Sequence, residues 1–179
     1  MTAASYALAR HPATSCAFLE GVTATLERLP GGRLRMGFHL VGDLSRLRLP
    51  APRAPGPADG LWQHTCCEAF CSLGGEGYRE FNFSPSRQWA VYDFSARRER
   101  TPAPFPAAGP VIAATPAAGE LLLEAVVPPA LLPAPGAAIG LTAVVEDVAG
   151  GKSYWALAHS APQPDFHRRE TFLATLPPP

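Results

Sequence analysis

Proline and glycine recur along this chain at intervals that leave little room for helices. Pro (21) and Gly (16) make up about a fifth of the 179 residues, and each interrupts a helix interior, proline by about 3 kcal/mol and glycine by about 1. That load argues against an all-helical fold and for a β or loop-rich one. Three Pro/Ala/Gly-rich stretches stand out: Pro50 to Asp59, Thr101 to Gly109 and Pro128 to Gly136. Each runs about ten residues, a length that suits loops within a domain better than linkers between domains. No internal repeat is visible, so one domain over residues 1–179 is expected. Of the 15 basic residues only Lys152 is lysine, a composition typical of a GC-rich genome, so some Pro and Ala carry little structural meaning.

The segments between these breaks alternate like strands. Val22 to Leu29 and Arg33 to Val41 flank Pro30, Gly31 and Gly32 and predict a hairpin. Leu61 to Leu73 and Tyr78 to Phe83 flank Gly74, Gly75 and Gly77, and Gln88 to Phe94 follows. Val111 to Thr115 and Leu121 to Val127 flank Pro116 and Gly119. Ala138 to Val148 and Lys152 to His159 flank Gly150 and Gly151, and Thr171 to Leu176 closes the series. About nine or ten strands with little helix predict an all-β antiparallel sandwich. Short helices are expected only at Pro129 to Leu132 or Ala96 to Arg100.

Charge excludes several partner classes. Lys plus Arg is 15 and Asp plus Glu is 15, a formal net charge of zero. A basic nucleic-acid footprint is absent, so no nucleic-acid partner is expected. No apolar run approaches the roughly 18 residues of a membrane helix, so no membrane partner is expected either. The first ten residues lack the basic start and long apolar run of a signal peptide. A cytoplasmic protein with reduced thiols is therefore expected. Cys66, Cys67 and Cys71 form a C-C-x-x-x-C cluster. In a strand Cys67 and Cys71 would lie about 13 Å apart, too far to share one zinc. Buried small hydrophobes are the simpler reading, and no metal site is expected.

Period-two parity selects the candidate site residues. From Leu61, the residues Trp62, His64, Cys66, Glu68 and Phe70 share one face of a predicted strand. Phe81 and Phe83 face one way, toward a predicted core. Tyr78, Glu80, Asn82 and Ser84 form a polar row on the other face. Ser153, Trp155, Leu157 and His159 share a face, opposite Tyr154. Indole rings stack on apolar sugar faces, while carboxylates, Asn, Arg and His serve the hydroxyls. The same residues also fit core tryptophans and a solvated sheet face. His159, Asp165 and His167, with His64, offer ligands of a kind that hold zinc or iron, but no metal-binding spacing accompanies them. They equally fit a hydrogen-bonded loop.

Catalytic motifs are missing from the sequence: no G-x-S-x-G elbow, phosphate loop or dinucleotide fingerprint occurs. Glu68 and Glu80 are the one pair that suggests a glycosidase. No catalytic residue is assigned, and an enzyme is not expected.

Four blocks together resemble a known family. They are Leu61 to Phe70 (LWQHTCCEAF), Tyr78 to Tyr92 (YREFNFSPSRQWAVY), Ser153 to His159 (SYWALAH) and Pro164 to His167 (PDFH). They look like the small bacterial DOMON-like proteins, relatives of the family 9 carbohydrate-binding modules. The resemblance runs from about Gly21 to Leu176. It implies an immunoglobulin-like or jelly-roll-like sandwich that binds a ligand without chemistry, sugars and haem being the ligands of the wider superfamily. It implies a sugar held at Trp62 and Glu68, with Trp155 as second aromatic and Tyr154 and Trp89 behind it. Glu80, Asn82, His64 and Arg87 would orient the ligand, and Tyr78, His159, Asp165 and His167 complete the candidate set. Haem-binding members use a Met and a His. Here Met36 is the one internal methionine, and no His stands opposite it, so no cofactor is expected and haem electron transfer is the alternative. A glycoside-type hydrolase is the second alternative. A protein partner, if one exists, is unspecified.

Overall fold

A computed structural model describes residues 3–178. Its strands are β1 (Ala4–Arg10), β2 (Leu19–Arg28), β3 (Leu34–Gly42), β4 (Gly56–Pro57), β5 (Cys66–Gly74) and β6 (Gly77–Phe83). They continue as β7 (Gln88–Ala96), β8 (Glu99–Thr101), β9 (Val111–Ala117), β10 (Glu120–Val127), β11 (Ala138–Glu146), β12 (Lys152–Ala156) and β13 (Ala174–Thr175). The remaining regular elements are single 3-10 turns, including Pro129–Leu131. No helix among the described residues is long and apolar enough to cross a membrane.

The protein is all-β, but it differs from the expected two-sheet sandwich of nine or ten strands. Eleven strands follow one hydrogen-bonded path, β4-β7-β6-β5-β11-β12-β1-β2-β3-β10-β9, with β8 on β7 and β13 on β11. The sheet is mixed, because β4 runs parallel to β7, and it curls into a half-barrel. Strand β1 makes the join. Its residues Ala4 to Leu8 pair with β2, and Ala9 and Arg10 pair with β12. A strand shared between two halves is how a sheet turns a corner without exposing an edge. Strand β1 lies outside the expected strands; within it only Leu8 is fully buried and Tyr6 partly, both packed on the core, and its other residues are exposed. The packed region therefore begins before Gly21, and Phe18 and Leu19 also belong to the core.

One core fills the curl. Leu26, Met36, Phe38 and Leu123 reach it from one half, and Cys67, Phe81, Phe83, Leu141 and Trp155 reach it from the other. Phe38 meets Phe83 across the middle, with ring centroids 6.3 Å apart. The hairpin of β2 and β3 turns through Pro30–Gly32, as the sequence predicts. Gly42 closes β3 at φ +147°, where a Cβ would stand 2.2 Å from the Phe18 carbonyl oxygen. Only glycine allows that approach. The Ala96 to Arg100 segment is not a helix: it is the end of β7, a two-residue turn at Arg97 and Arg98, and the start of β8, with Arg98 at φ 61°.

All four cysteines are free thiols. Cys67 and Cys71 face the core and Cys66 the opposite side, as strand parity requires. Burial pushes the thiols of Cys66, Cys67 and Cys71 well above their ordinary range, Cys71 to about 12. They are inert packing groups.

Phe38→Ala removes the ring that bridges the two halves. It is expected to lower stability by about 3–5 kcal/mol in urea unfolding, and a loss below about 1 kcal/mol would show that the halves do not depend on this contact.

Candidate functional site

The half-sheet β7-β6-β5-β11-β12 has a second face, and it too is covered. Register places its outward residues in rows. One row runs Ala156, Thr142, Glu68, Asn82, Ala90, and the next runs Gly140, Phe70, Glu80, Tyr92. After β12 the chain folds back over these rows. Phe172 lies on Gly140, where any Cβ would be 2.7 Å from its ring. Phe166 and Phe172 pack with Phe70, Tyr78 and Phe94 in a second apolar cluster.

Three elements are pinned together at Tyr78. Its hydroxyl accepts the Arg98 backbone N–H at 3.0 Å and hydrogen-bonds His167 Nδ1 at 2.7 Å. Its ring stacks on Phe94, 4.8 Å between centroids. The other ring nitrogen of His167, Nε2, lies 3.9 Å from Glu80 Oε2. Burial, aided by Arg98, pushes His167 down to about 4, so it is neutral at physiological pH. Asp165, next to it, is held below the usual carboxylate range. Burial opposes this, but the hydrogen bonds of Arg97 and Arg98 outweigh it.

Between the sheet and this cover lies a cleft of about 630 Å³, within the range of small-molecule sites. Its floor is Glu68, Phe70, Glu80, Tyr92, Val144 and Tyr154, and Trp62, Arg98, Arg100 and Asp165 stand around it. Trp62 is 52% exposed, so a large apolar ring is presented to solvent at the cleft. The Arg100 guanidinium lies over the Tyr92 ring at 3.9 Å, a cation–π contact.

The floor holds two carboxylates taken from water. Glu68 is 2% exposed and Glu80 5%. Glu80 Oε1 accepts from Asn82 Nδ2 at 2.6 Å. Glu68 has only a long 3.5 Å contact from the Thr142 hydroxyl, and its Oε1 has no partner, nor has Asn82 Oδ1. Burial pushes both acids up, Glu80 to about 7, and Glu68 is raised further by the charge of Glu80. The pair is held toward its protonated form, as expected for two acids in one poorly solvated site.

The expected site residues divide accordingly. Trp62, Glu68, Glu80, Tyr154, Asp165 and His167 line the cleft. Asn82 and Tyr78 lie beneath it, fully buried, and hold Glu80 and His167. Five others sit elsewhere. Trp155 shares a face with Ser153 as parity predicts, but that face is the core, and its Nε1 donates to Ser153 Oγ at 3.0 Å. Trp89 is also buried, flat against Gly109 and edge-on to Phe105. Arg87 is the one exposed residue of the otherwise buried turn from Ser84 to Arg87 between β6 and β7, at φ 75°. His159 hydrogen-bonds the Ala9 carbonyl at 2.9 Å beside the His11 ring. His64 donates from Nδ1 to Glu146 at 2.7 Å and lines a second cleft of about 510 Å³. The predicted strand from Leu61 is the reason for that error: Leu61–Gln63 is a 3-10 turn, and β5 starts at Cys66. Trp62 and His64 therefore do not share the Glu68 face by parity. Trp62 reaches the cleft from the turn instead.

Sequence reasoning missed Phe70, Tyr92, Arg98 and Arg100 as cleft residues. The parity of Tyr92 with Phe94 and of Phe70 with Glu68 was visible. Nothing in the sequence marks the arginines, which reach the cleft because the Arg97–Arg98 turn folds β8 back on β7.

Comparison with known proteins bears on the fold. No family profile matches the sequence, and no curated protein does. A solved structure from Bacteroides uniformis, described as a putative carbohydrate-binding protein, is similar at TM-score 0.61 and 15% identity. The match covers 97% of this chain and 85% of that one. At that identity the two share the fold.

The raised acid at Glu80 has a consequence for stability. Its folded value, about 7, lies above its ordinary 4.5. The folded state then binds more protons than the unfolded state between those values, so this contribution is full below pH 4.5 and is lost as pH rises to about 7. His167 acts the opposite way, its contribution being lost as pH falls from 6.5 to about 4. Glu80→Gln keeps an acceptor for Asn82 but cannot ionise. Its melting temperature is expected to gain on the wild type between pH 4.5 and 7 and level off above. A difference that does not vary with pH would contradict the buried-acid assignment.

Proposed function

We propose that the protein is a non-catalytic binding domain and that the cleft between β5-β6-β7 and the returning chain takes a small sugar or glycoconjugate. The observation that carries this reading is Trp62, exposed at the mouth of a cleft whose floor pairs aromatic rings with hydrogen-bonding carboxylates. A pyranose presents an apolar face and a ring of hydroxyls, and those two surfaces need those two kinds of partner. The shared fold with a protein described as putatively carbohydrate-binding supports the reading. No cofactor is required by it.

The two alternatives draw less from the same geometry. Met36 is fully buried in the core, opposite Leu26 and Ala125 on its neighbouring strands, and offers no open ligand to haem iron. A glycosidase pair needs one carboxylate held ionised beside a protonated one. Here both acids are pushed up, and neither makes a salt bridge to an arginine.

Titration against mono- and disaccharides is expected to find a ligand, and Trp62→Ala to weaken it by more than about 1 kcal/mol. The melting temperature should stay near wild type, because the side chain is half exposed. Trp155→Ala, by contrast, should cost about 3–5 kcal/mol of stability. Unchanged affinity in a folded Trp62→Ala would remove Trp62 from the site.

A further inference from the structure

We infer that the group recognised at the floor of the cleft is a primary ammonium, so that the preferred ligand is an amino sugar rather than a neutral one. The inference rests on the sugar reading above and names its class. It starts from a polar imbalance. Glu68 Oε1 is buried, borders the cleft and has no hydrogen-bond partner. Glu80 stands on the next strand, diagonal to it across the β5·β6 register, with Oε2 facing His167 at 3.9 Å. Buried acceptors without donors cost about 1–3 kcal/mol each, more when charged. For the ionised pair the missing partner is a donor. A hydroxyl supplies one proton and no charge. An ammonium supplies three protons and the charge that lets both acids ionise.

The surroundings admit a cation at that position. Arg98 is engaged by Asp165 at 3.0 Å, and Arg100 lies over Tyr92 with Asp59 at 3.8 Å. Both guanidiniums are about half exposed, at the rim rather than the floor. His167 is neutral, its imidazole pinned by Tyr78. Burial raises the phenols of Tyr78, Tyr92 and Tyr154, so they stay protonated. The floor thus holds two acids that no cation touches, Arg98 and Arg100 acting on Glu80 only through their charge from the rim, and the rings of Phe70, Tyr92 and Tyr154 offer faces that also favour a positive group.

Binding an ammonium has a signature that binding a hydroxyl lacks. The free pair retains a proton at neutral pH, and an ammonium beside it expels that proton. Uptake of the amine is then coupled to proton release, and uptake of a neutral sugar is not.

The test compares glucosamine, N-acetylglucosamine and glucose, each as the monomer and the β-1,4-linked dimer, by calorimetry at pH 7 in two buffers of different ionisation enthalpy. The three differ only at C2: amine, acetamide or hydroxyl. The amine form is expected to bind about tenfold tighter or better, the scale of one charge-assisted hydrogen bond, and to release protons. Glu68→Gln should reduce that preference to near unity, and Glu80→Gln serves if Glu68→Gln does not fold. Equal or tighter binding of glucose or N-acetylglucosamine, or a preference for amine that both variants keep, overturns the inference and leaves the sugar reading standing. Binding of none of the six overturns both.

Discussion

Tyr78 stands where three parts of the chain meet. It lies on β6, accepts a backbone hydrogen bond from the turn after β7, and hydrogen-bonds His167 in the segment that returns after β12. That arrangement holds a lid of chain over the outer face of a half-sheet whose inner face already lines the core. Strand β6 is consequently buried on both sides: Phe81 and Phe83 inward, Tyr78, Glu80 and Asn82 outward. Everything distinctive about the site follows from this two-sided burial. Glu68 and Glu80 would be ordinary surface acids on an uncovered sheet. Under the lid they lose water and are pushed toward their neutral forms.

The charges are arranged in layers. Formal net charge is zero, so nothing draws a ligand in over long range. Within the cleft, arginines and Asp165 neutralise one another at the rim, while the acids lie below. Aromatic rings make up much of the remaining wall. Selection in such a site comes from local contact: an apolar face against Trp62, and a donor that satisfies buried oxygen atoms. The second cleft is different in kind. There Glu146 is already satisfied by His64 and Arg48 at 2.7 and 3.0 Å, and no buried oxygen awaits a partner.

Much of the sheet was legible because turn chemistry and alternation act locally. The β2–β3 hairpin could be read from Pro30, Gly31 and Gly32, and the two faces of β6 from simple parity. Parity also grouped Trp155 with Ser153. It could not say that their face was the inner one, because both faces of this half-sheet carry aromatics and the usual apolar-in, polar-out contrast is lost. Trp62 was selected for the wrong reason: a 3-10 turn breaks the strand that was to carry it, and Gly60 at φ 71° starts that turn. Arg98 and Arg100 reach the cleft through the tight Arg97–Arg98 hairpin that folds β8 back on β7, a turn without the usual Gly or Asn to mark it. Strand β1 buries only Leu8 fully and Tyr6 in part, and its larger role is to hydrogen-bond both halves, which no local pattern announces.

The three tryptophans provide the most direct measurement of where ligand binds. Each indole N–H gives one cross-peak in a proton–nitrogen correlation spectrum, and the three environments differ: Trp62 at the cleft, Trp89 and Trp155 in the core. On titration with a bound sugar, the Trp62 indole peak is predicted to shift while the other two stay in place. Movement of the Trp89 or Trp155 peaks with Trp62 unmoved would place the ligand elsewhere and contradict the outer-face cleft as the binding site.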